Sequence, residues 1–196
     1  MRKIVFFVHT TLDGFIANAN DELWERFPWG EDEMAFTNDF FRSTDTWVLG
    51  RKMYEIIVPW WSAVAAGTPP EDASVITARD QEFADLLQGM TKVVISKTLG
   101  DAGGERIVIN DNVGEALLSL KQQPGKDILL SCGPGLLAPL ADQSGLIDQY
   151  MIVVHPAVLG TGKHLFGDLR RELPLQLLEA KVFPAGCVLL RYHPSS

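Results

Sequence analysis

Leu175-Gln176-Leu177-Leu178-Glu179-Ala180-Lys181-Val182, then Phe183-Pro184-Ala185-Gly186, then Cys187-Val188-Leu189-Leu190-Arg191-Tyr192-His193, is the stretch on which the fold turns. Two extended runs flank a short link that holds a proline and a glycine, the signature of a β-hairpin. The chain therefore closes on an antiparallel element. Immediately upstream, residues 147–154 read as a long strand. Residues 127–131 read as another, broken by Gly133-Pro134-Gly135 into a helix that runs through Leu140.

Further upstream the chain alternates strand and helix. Asn112 is placed to cap a helix, with Glu115 three residues on in capping-box position and Val113, Ala116, Leu117 and Leu120 as its apolar stripe. Residues 92–96 and 106–109 are strands, and Phe83, Leu86, Leu87 and Met90 recur at helical spacing. Thr46-Trp47-Val48-Leu49 is a strand ending at Gly50, followed by a short helix from Arg51. The three prolines, Gly67 and paired Trp60-Trp61 of residues 59–70 predict a surface loop beside the active site. Residues 31–42 form a helix with acidic residues at its start, where they suit the dipole. Ile4-Val5-Phe6-Phe7-Val8 has no alternation and reads as a central strand buried on both faces. The alternating order implies mostly parallel pairing with helices on both faces. An α/β class follows, as one domain over residues 1–196.

Bulk properties narrow the function. Hydrophobic residues make up 46% of the 196, enough for a sizeable core, and the 21% charged share is that of a globular chain. The formal net charge of -8 argues against a nucleic-acid partner, which calls for a basic surface. No apolar stretch could span a bilayer, and the apolar run 4–8 is too short for a signal-peptide core, so no membrane partner and a cytoplasmic location are expected. Cys132 and Cys187 lie in no redox or metal spacing. His9, His155, His164 and His193 form no pair at helical ligand spacing, so no metal site is expected.

Five polar turns follow strands, four of them glycine-bearing. Thr10-Thr11-Leu12-Asp13-Gly14-Phe15-Ile16-Ala17 can set backbone amides and one carboxylate against a flat ring, or be a plain Asp-Gly turn. Leu49-Gly50-Arg51-Lys52-Met53-Tyr54 joins a helix N-terminus to two cations, an anion site or a helix start with solvated charges. Ser96-Lys97-Thr98 offers hydroxyls and a lysine to a phosphate, although such loop residues are common. Ser131-Cys132-Gly133-Pro134-Gly135 lets backbone approach a pyrophosphate at a helix start, or is a simple connection; it matches neither the Rossmann nor the Walker A fingerprint. The fifth, residues 156–163, contains Leu159-Gly160-Thr161-Gly162 and could be only a flexible link. Together they would line one rim of one sheet.

These segments resemble the dihydrofolate-reductase-like reductases, in the branch of the C-terminal reductase domain of the riboflavin-biosynthesis deaminase/reductase. The resemblance rests on Thr11-Leu12-Asp13-Gly14-Phe15-Ile16-Ala17, Gly50-Arg51-Lys52-Met53-Tyr54-Glu55, Val93-Val94-Ile95-Ser96-Lys97, Gly133-Pro134-Gly135, and Gly145-Leu146-Ile147-Asp148 followed by Pro156 and Leu159-Gly160-Thr161-Gly162, in the family's order. It implies a dihydrofolate-reductase-like three-layer fold: a mixed, mostly parallel sheet of about eight strands with the C-terminal antiparallel hairpin and helices on both faces. It implies NADPH as cofactor. Gly50 and Arg51 would meet the adenosine end, with Arg51 and Ser96 near the 2′-phosphate and Lys52 and Lys97 as neighbouring cations. Gly133, Pro134 and Gly135 would face the pyrophosphate, Ile16 and Ala17 the nicotinamide, and Asp13 the substrate as the catalytic candidate. It also implies a cis peptide bond at Gly133-Pro134 or Cys132-Gly133, and a homodimer.

Two departures bear on the substrate. Thr37, with Glu33, Asn38 and Asp39 around it, stands near the place of the folate enzymes' helix acid. Met53 stands where they carry a threonine. No zinc-ligand cluster of a deaminase partner precedes the reductase region. The expected function is therefore NADPH-dependent reduction of a small-molecule substrate, pterin-like or ribosylaminopyrimidine-like, with poor use of dihydrofolate. The alternatives are a nucleotide-binding module without turnover, and an interaction protein using Trp60 and Trp61.

Overall fold

The computed structural model describes residues 1–20, 22, 30–71, 73, 75–100 and 106–195. In chain order the elements are β1 (Ile4–Thr11), β2 (Phe15–Ala17), α1 (Glu31–Arg42), β3 (Thr44–Gly50), α2 (Arg51–Ala65), α3 (Ala78–Gly89), β4 (Thr91–Ile95), β5 (Ile107–Ile109), α4 (Val113–Gln122), β6 (Asp127–Ser131), α5 (Pro134–Ala141), β7 (Gln149–His155), β8 (Lys163–His164), β9 (Leu175–Val182) and β10 (Val188–Pro194). Among the described residues the main sheet is mixed and has eight strands, mostly parallel, with its antiparallel pairs at the C-terminal strands. The chain divides into two compact units, Met1–Arg2 with Glu31–Leu129, and Lys3–Gly30 with Leu130–Ser196.

In the first unit the strand order is β5-β4-β3-β6. β3 and β4 run parallel with Gly50 opposite Ile95, and β4 and β5 run parallel with Val93 opposite Ile107. The core is aromatic: Phe41 of α1 lies edge-on to Trp47 at 5.9 Å and to Phe83 at 4.8 Å. α1 starts with Glu31, Asp32 and Glu33 and ends with Arg42, charges that complement both ends of its dipole. α3 is started by a capping box in which the Thr77 hydroxyl accepts from the Asp80 amide and the Asp80 carboxylate accepts from the Thr77 amide.

Two expectations are corrected in this unit. The region from Pro59 is not a loop at its start: α2 continues through Pro59, Trp60 and Trp61 to Ala65. A proline inside a helix costs about 3 kcal/mol. Here Trp61 packs edge-on against Phe83 at 4.7 Å and Val64 is buried, and burying such side chains recovers roughly 1.5–3 kcal/mol each. Asn112 does cap α4, but no capping box forms. It adopts the left-handed conformation (φ 43°), which asparagine tolerates, and caps with its carbonyl, which accepts from the Ala116 amide at 3.0 Å.

The same unit buries a charged residue at its N-terminus. The Arg2 guanidinium donates to the Asp45 carboxylate, to Thr46 Oγ1 at 2.6 Å and to the Lys126 carbonyl. Asp45 also accepts from the Lys126 amide at 2.8 Å. Gly125, at φ +150°, is required beside them, since a Cβ there would stand 2.6 Å from the Asp45 carboxylate.

In the second unit β1 and β7 pair in parallel, Thr11 opposite His155, and β7, β10 and β9 follow as antiparallel neighbours. Ile4 to Phe7 are all buried, as the unbroken apolar run predicts. The start of β1 is fixed by Asp148, whose carboxylate accepts from the Ile4 amide at 2.7 Å while its own amide donates to the Ile4 carbonyl at 2.9 Å. The hairpin link is closed by the Phe183 amide donating to the Cys187 carbonyl, with Gly186 at φ +93°. A second sheet, unseen in the sequence, pairs β2 with β8. Every described peptide bond is trans, so the cis bond expected near Gly133 is absent. Gly133 is extended and Pro134 opens α5 at its first position, where a trans proline already has helical φ.

Candidate functional site

The first unit holds the cation-bearing turns. Gly50 precedes α2 in extended conformation and, having no side chain, makes no N-cap bond to the donors of the helix's first turn. Parallel pairing of Gly50 with Ile95 brings Arg51 and Lys52 to the same strand ends as Ser96 and Lys97. Ser96 is buried, and its Oγ accepts from the Thr98 and Leu99 amides at 3.2 and 3.0 Å, which fixes the turn. Arg51, Lys52 and Lys97 are exposed. The Arg51 Nη1 lies 3.2 Å and 3.4 Å from the two Glu55 carboxylate oxygens. Arg106, not singled out in the sequence, donates to the Tyr54 hydroxyl at 3.1 Å and lies over its ring at 5.2 Å. Glu33 is buried in the first turn of α1, and the Thr37 hydroxyl donates to the Glu33 carbonyl at 2.9 Å.

The second unit holds the remaining turns. Asp13 is fastened on three sides: its carboxylate accepts from Thr11 Oγ1 at 2.6 Å and from the Leu159 and Gly160 amides at 3.2 and 2.8 Å. The Thr11 hydroxyl, above all, and the Gly160 and Leu159 amides hold its carboxyl below the usual carboxylate range, against the opposing push of burial. Asp13 thus ties the β1–β2 turn to the Leu159-Gly160-Thr161-Gly162 turn. The Leu12 amide adds a bond to the Ala157 carbonyl at 2.8 Å, and the Leu165 amide one to the Gly14 carbonyl at 2.9 Å.

Ala17 is buried and Ile16 half-buried on β2. Gly162 passes so close that a Cβ there would stand 2.2 Å from the Ala17 carbonyl oxygen, and its φ is +147°. Both facts demand glycine at this position. Gly133 and Gly135 flank buried Pro134 at the start of α5, again without a side-chain cap.

The sequence reading missed one pair altogether. His9 of β1 and His155 of β7 meet with Nδ1 and Nε2 2.8 Å apart and ring centroids 5.1 Å apart. His155 is fully buried and His9 half-buried. Burial, together with its neighbour's charge, lowers His9 to about 3, and burial lowers His155 to about 4. No local spacing announces the pair, because strand register alone brings the two residues together.

The mixed, mostly parallel sheet with its antiparallel C-terminal strands defines an α/β protein of the dihydrofolate-reductase-like fold. The chain belongs to the family of the RibD C-terminal domain, whose model matches residues 2–189. It is 33% identical over 193 residues to the uncharacterized protein YyaP of Bacillus subtilis (strain 168), covering 98% of this chain and 95% of that one. Among solved structures it resembles the diaminohydroxyphosphoribosylaminopyrimidine deaminase/5-amino-6-(5-phosphoribosylamino)uracil reductase of Thermotoga maritima. The TM-score is 0.68 at 10% identity, over 99% of this chain and 57% of that one. It also resembles Enterococcus faecalis dihydrofolate reductase complexed with NADP(H), with a TM-score of 0.60 at 14% identity, over 99% and 97% of the two chains.

Proposed function

We propose that the protein is an NADPH-dependent reductase that transfers hydride to a pterin-like or ribosylaminopyrimidine-like heterocycle. The observation that carries this reading is the β3–β4 register, which sets Gly50-Arg51-Lys52 at the uncapped start of α2 beside Ser96-Lys97. Amide donors and cations at neighbouring strand ends suit a phosphorylated nucleotide. NADPH supplies the hydride when bound. Arg51, with Lys52, Ser96 and Lys97, holds the adenosine end and its 2′-phosphate. Gly133, Pro134 and Gly135 offer backbone to the pyrophosphate, and Ile16 and Ala17 lie against the nicotinamide. Asp13, ionised and fastened to the Leu159–Gly160 amides, orients the substrate rather than donating a proton to it.

A reductase of this kind belongs in the cytoplasm. It forms a homodimer on this reading, which the exposed apolar side chains of β9, Leu177, Leu178 and Val182, support. The test is a titration of the chain with NADPH, followed by NADPH oxidation with 5-amino-6-(5-phosphoribosylamino)uracil and with dihydrofolate in parallel. One NADPH bound per chain is expected, with turnover of the pyrimidine and little of dihydrofolate. Thr37, hydrogen-bonded within α1 and not an acid, is what favours the second reading, a module that binds NADPH without turnover. Binding with no oxidation of any heterocycle would establish that alternative.

A further inference from the structure

We propose that β9 pairs antiparallel with β9 of a second copy of the chain, with Ala180 on the two-fold axis. Among the described residues β9 ends its sheet and has one neighbour, β10. A strand so placed presents a row of backbone amides and carbonyls that can receive another strand. Which residues present them follows from the hairpin. The Phe183 amide donates to the Cys187 carbonyl at 2.9 Å. Antiparallel ladders alternate, so Lys181 and Glu179 also turn their backbone groups toward β10, and Val182 and Ala180 turn theirs to the open edge. The edge is bounded at both ends. The register shift opposite Arg191 and Tyr192 makes a bulge at Leu178, and Pro184, past the other end, has no amide to give. Ala180 is the middle of the stretch from Leu178 to Val182.

Charge selects the register. Pairing centred on Glu179 would set Glu179 against Glu179, and pairing centred on Lys181 would set Lys181 against Lys181. Both put like charges directly opposite in the closer, non-hydrogen-bonded type of pair, which is destabilising. Centred on Ala180, each Glu179 faces the other copy's Lys181, and each Leu178 faces the other copy's Val182. Glu179 can take this partner while keeping Arg191, 3.6 Å away, because its side chain is still 42% exposed. Lys181 lies over the Phe183 ring at 5.1 Å and is exposed. Leu178 and Val182 are 49% and 73% exposed, so their contact covers apolar surface that water now touches. A strand whose charges match its own sequence when reversed about one residue is suited to a second copy of itself.

The pairing gives an interface to the homodimer of the reductase reading. Its test measures association and not NADPH, so the two can fail separately. Sedimentation equilibrium of the unaltered chain should show a dimer. Single cysteines then read the register, since the native Cys132 and Cys187 are buried. The two Ala180 Cα atoms would stand about 5.5 Å apart, within disulfide range. The two Glu179, and the two Lys181, would be diagonal neighbours at about 7–8 Å, beyond it. Ala180→Cys should therefore link two chains under mild oxidation, and Glu179→Cys and Lys181→Cys should not. Ala180→Pro removes an outward amide and spares those that face β10, and it should weaken the dimer at least about tenfold. Should that variant fail to fold, the cysteine variants decide. A monomer, a dimer that Ala180→Cys does not link, linkage through Glu179→Cys or Lys181→Cys, or a folded Ala180→Pro variant that associates undiminished overturns the pairing.

Discussion

Arg51 sits in a surface ion pair. Its guanidinium is now shared with Glu55, one helical turn on, with both side chains close to half exposed. An exposed pair of this spacing contributes only about 0.3–0.5 kcal/mol. A charge-assisted hydrogen bond to a phosphate contributes about 1.5–3 kcal/mol, so a 2′-phosphate would win the guanidinium from Glu55. Arg51→Ala should therefore weaken NADPH binding on the order of 10–100-fold and leave NADH almost unchanged. Parallel titrations with both cofactors check this; an equal loss for the two would remove the phosphate role. The place of Arg51 at the start of α2 was legible in the sequence because strand, glycine, cation and helix stand next to one another in the chain. His9 and His155 were not, because they are 146 residues apart and meet only through strand register.

At the scale of the element, local signals served well where a single feature dominated. The acidic start of α1, the hairpin β9–β10 and the Pro134 start of α5 all stand where the sequence places them. Pro59 misled because a proline is a local cue while the anchoring of Trp61 on Phe83 is a tertiary one. β2 and β8, three and two residues long, are too short for any periodicity to register, and they are held by Asp13, Gly14 and Gly162 rather than by propensity. The capping box at Thr77 and Asp80 was legible in principle as a Thr-x-x-Asp spacing. It should be measurable: Thr77→Ala removes an acceptor for the Asp80 amide and is expected to cost about 1 kcal/mol of unfolding free energy. Urea titration reads this as a lower midpoint at an unchanged slope.

On the whole-molecule scale, Asp45 joins the two ends of the first unit's chain, residue 2 and residue 126. Burial pushes its carboxyl up, but the Lys126 amide, the Thr46 hydroxyl and the Arg2 and Lys126 charges together pull it lower, below the ordinary carboxylate value. A depressed folded-state value means that the stabilisation is present above the unfolded value, near 3.9, and is lost as pH falls through the folded one. Asp45→Asn should therefore be less stable at neutral pH by about 1–2 kcal/mol, discounted for the partial exposure of the carboxylate. Its deficit should shrink as the pH falls below about 4. Urea midpoints of both proteins across that range check the convergence; parallel curves would show that Asp45 acts only through its shape.

The pairing of β1 with β7 has a consequence for synthesis. The side chain that receives the Ile4 amide belongs to Asp148, which leaves the ribosome 144 positions later. Contacts of such long separation slow folding, because the entropy of closing the loop is lost before any contact repays it. The four buried apolar residues from Ile4 to Phe7 thus emerge long before β7, their parallel partner. A chain halted before residue 149 holds a finished first strand and no β7 to receive it. Such a fragment is a natural client for chaperones and proteases, and a C-terminal truncation that spares every glycine turn of the first unit would still leave β1 without β7.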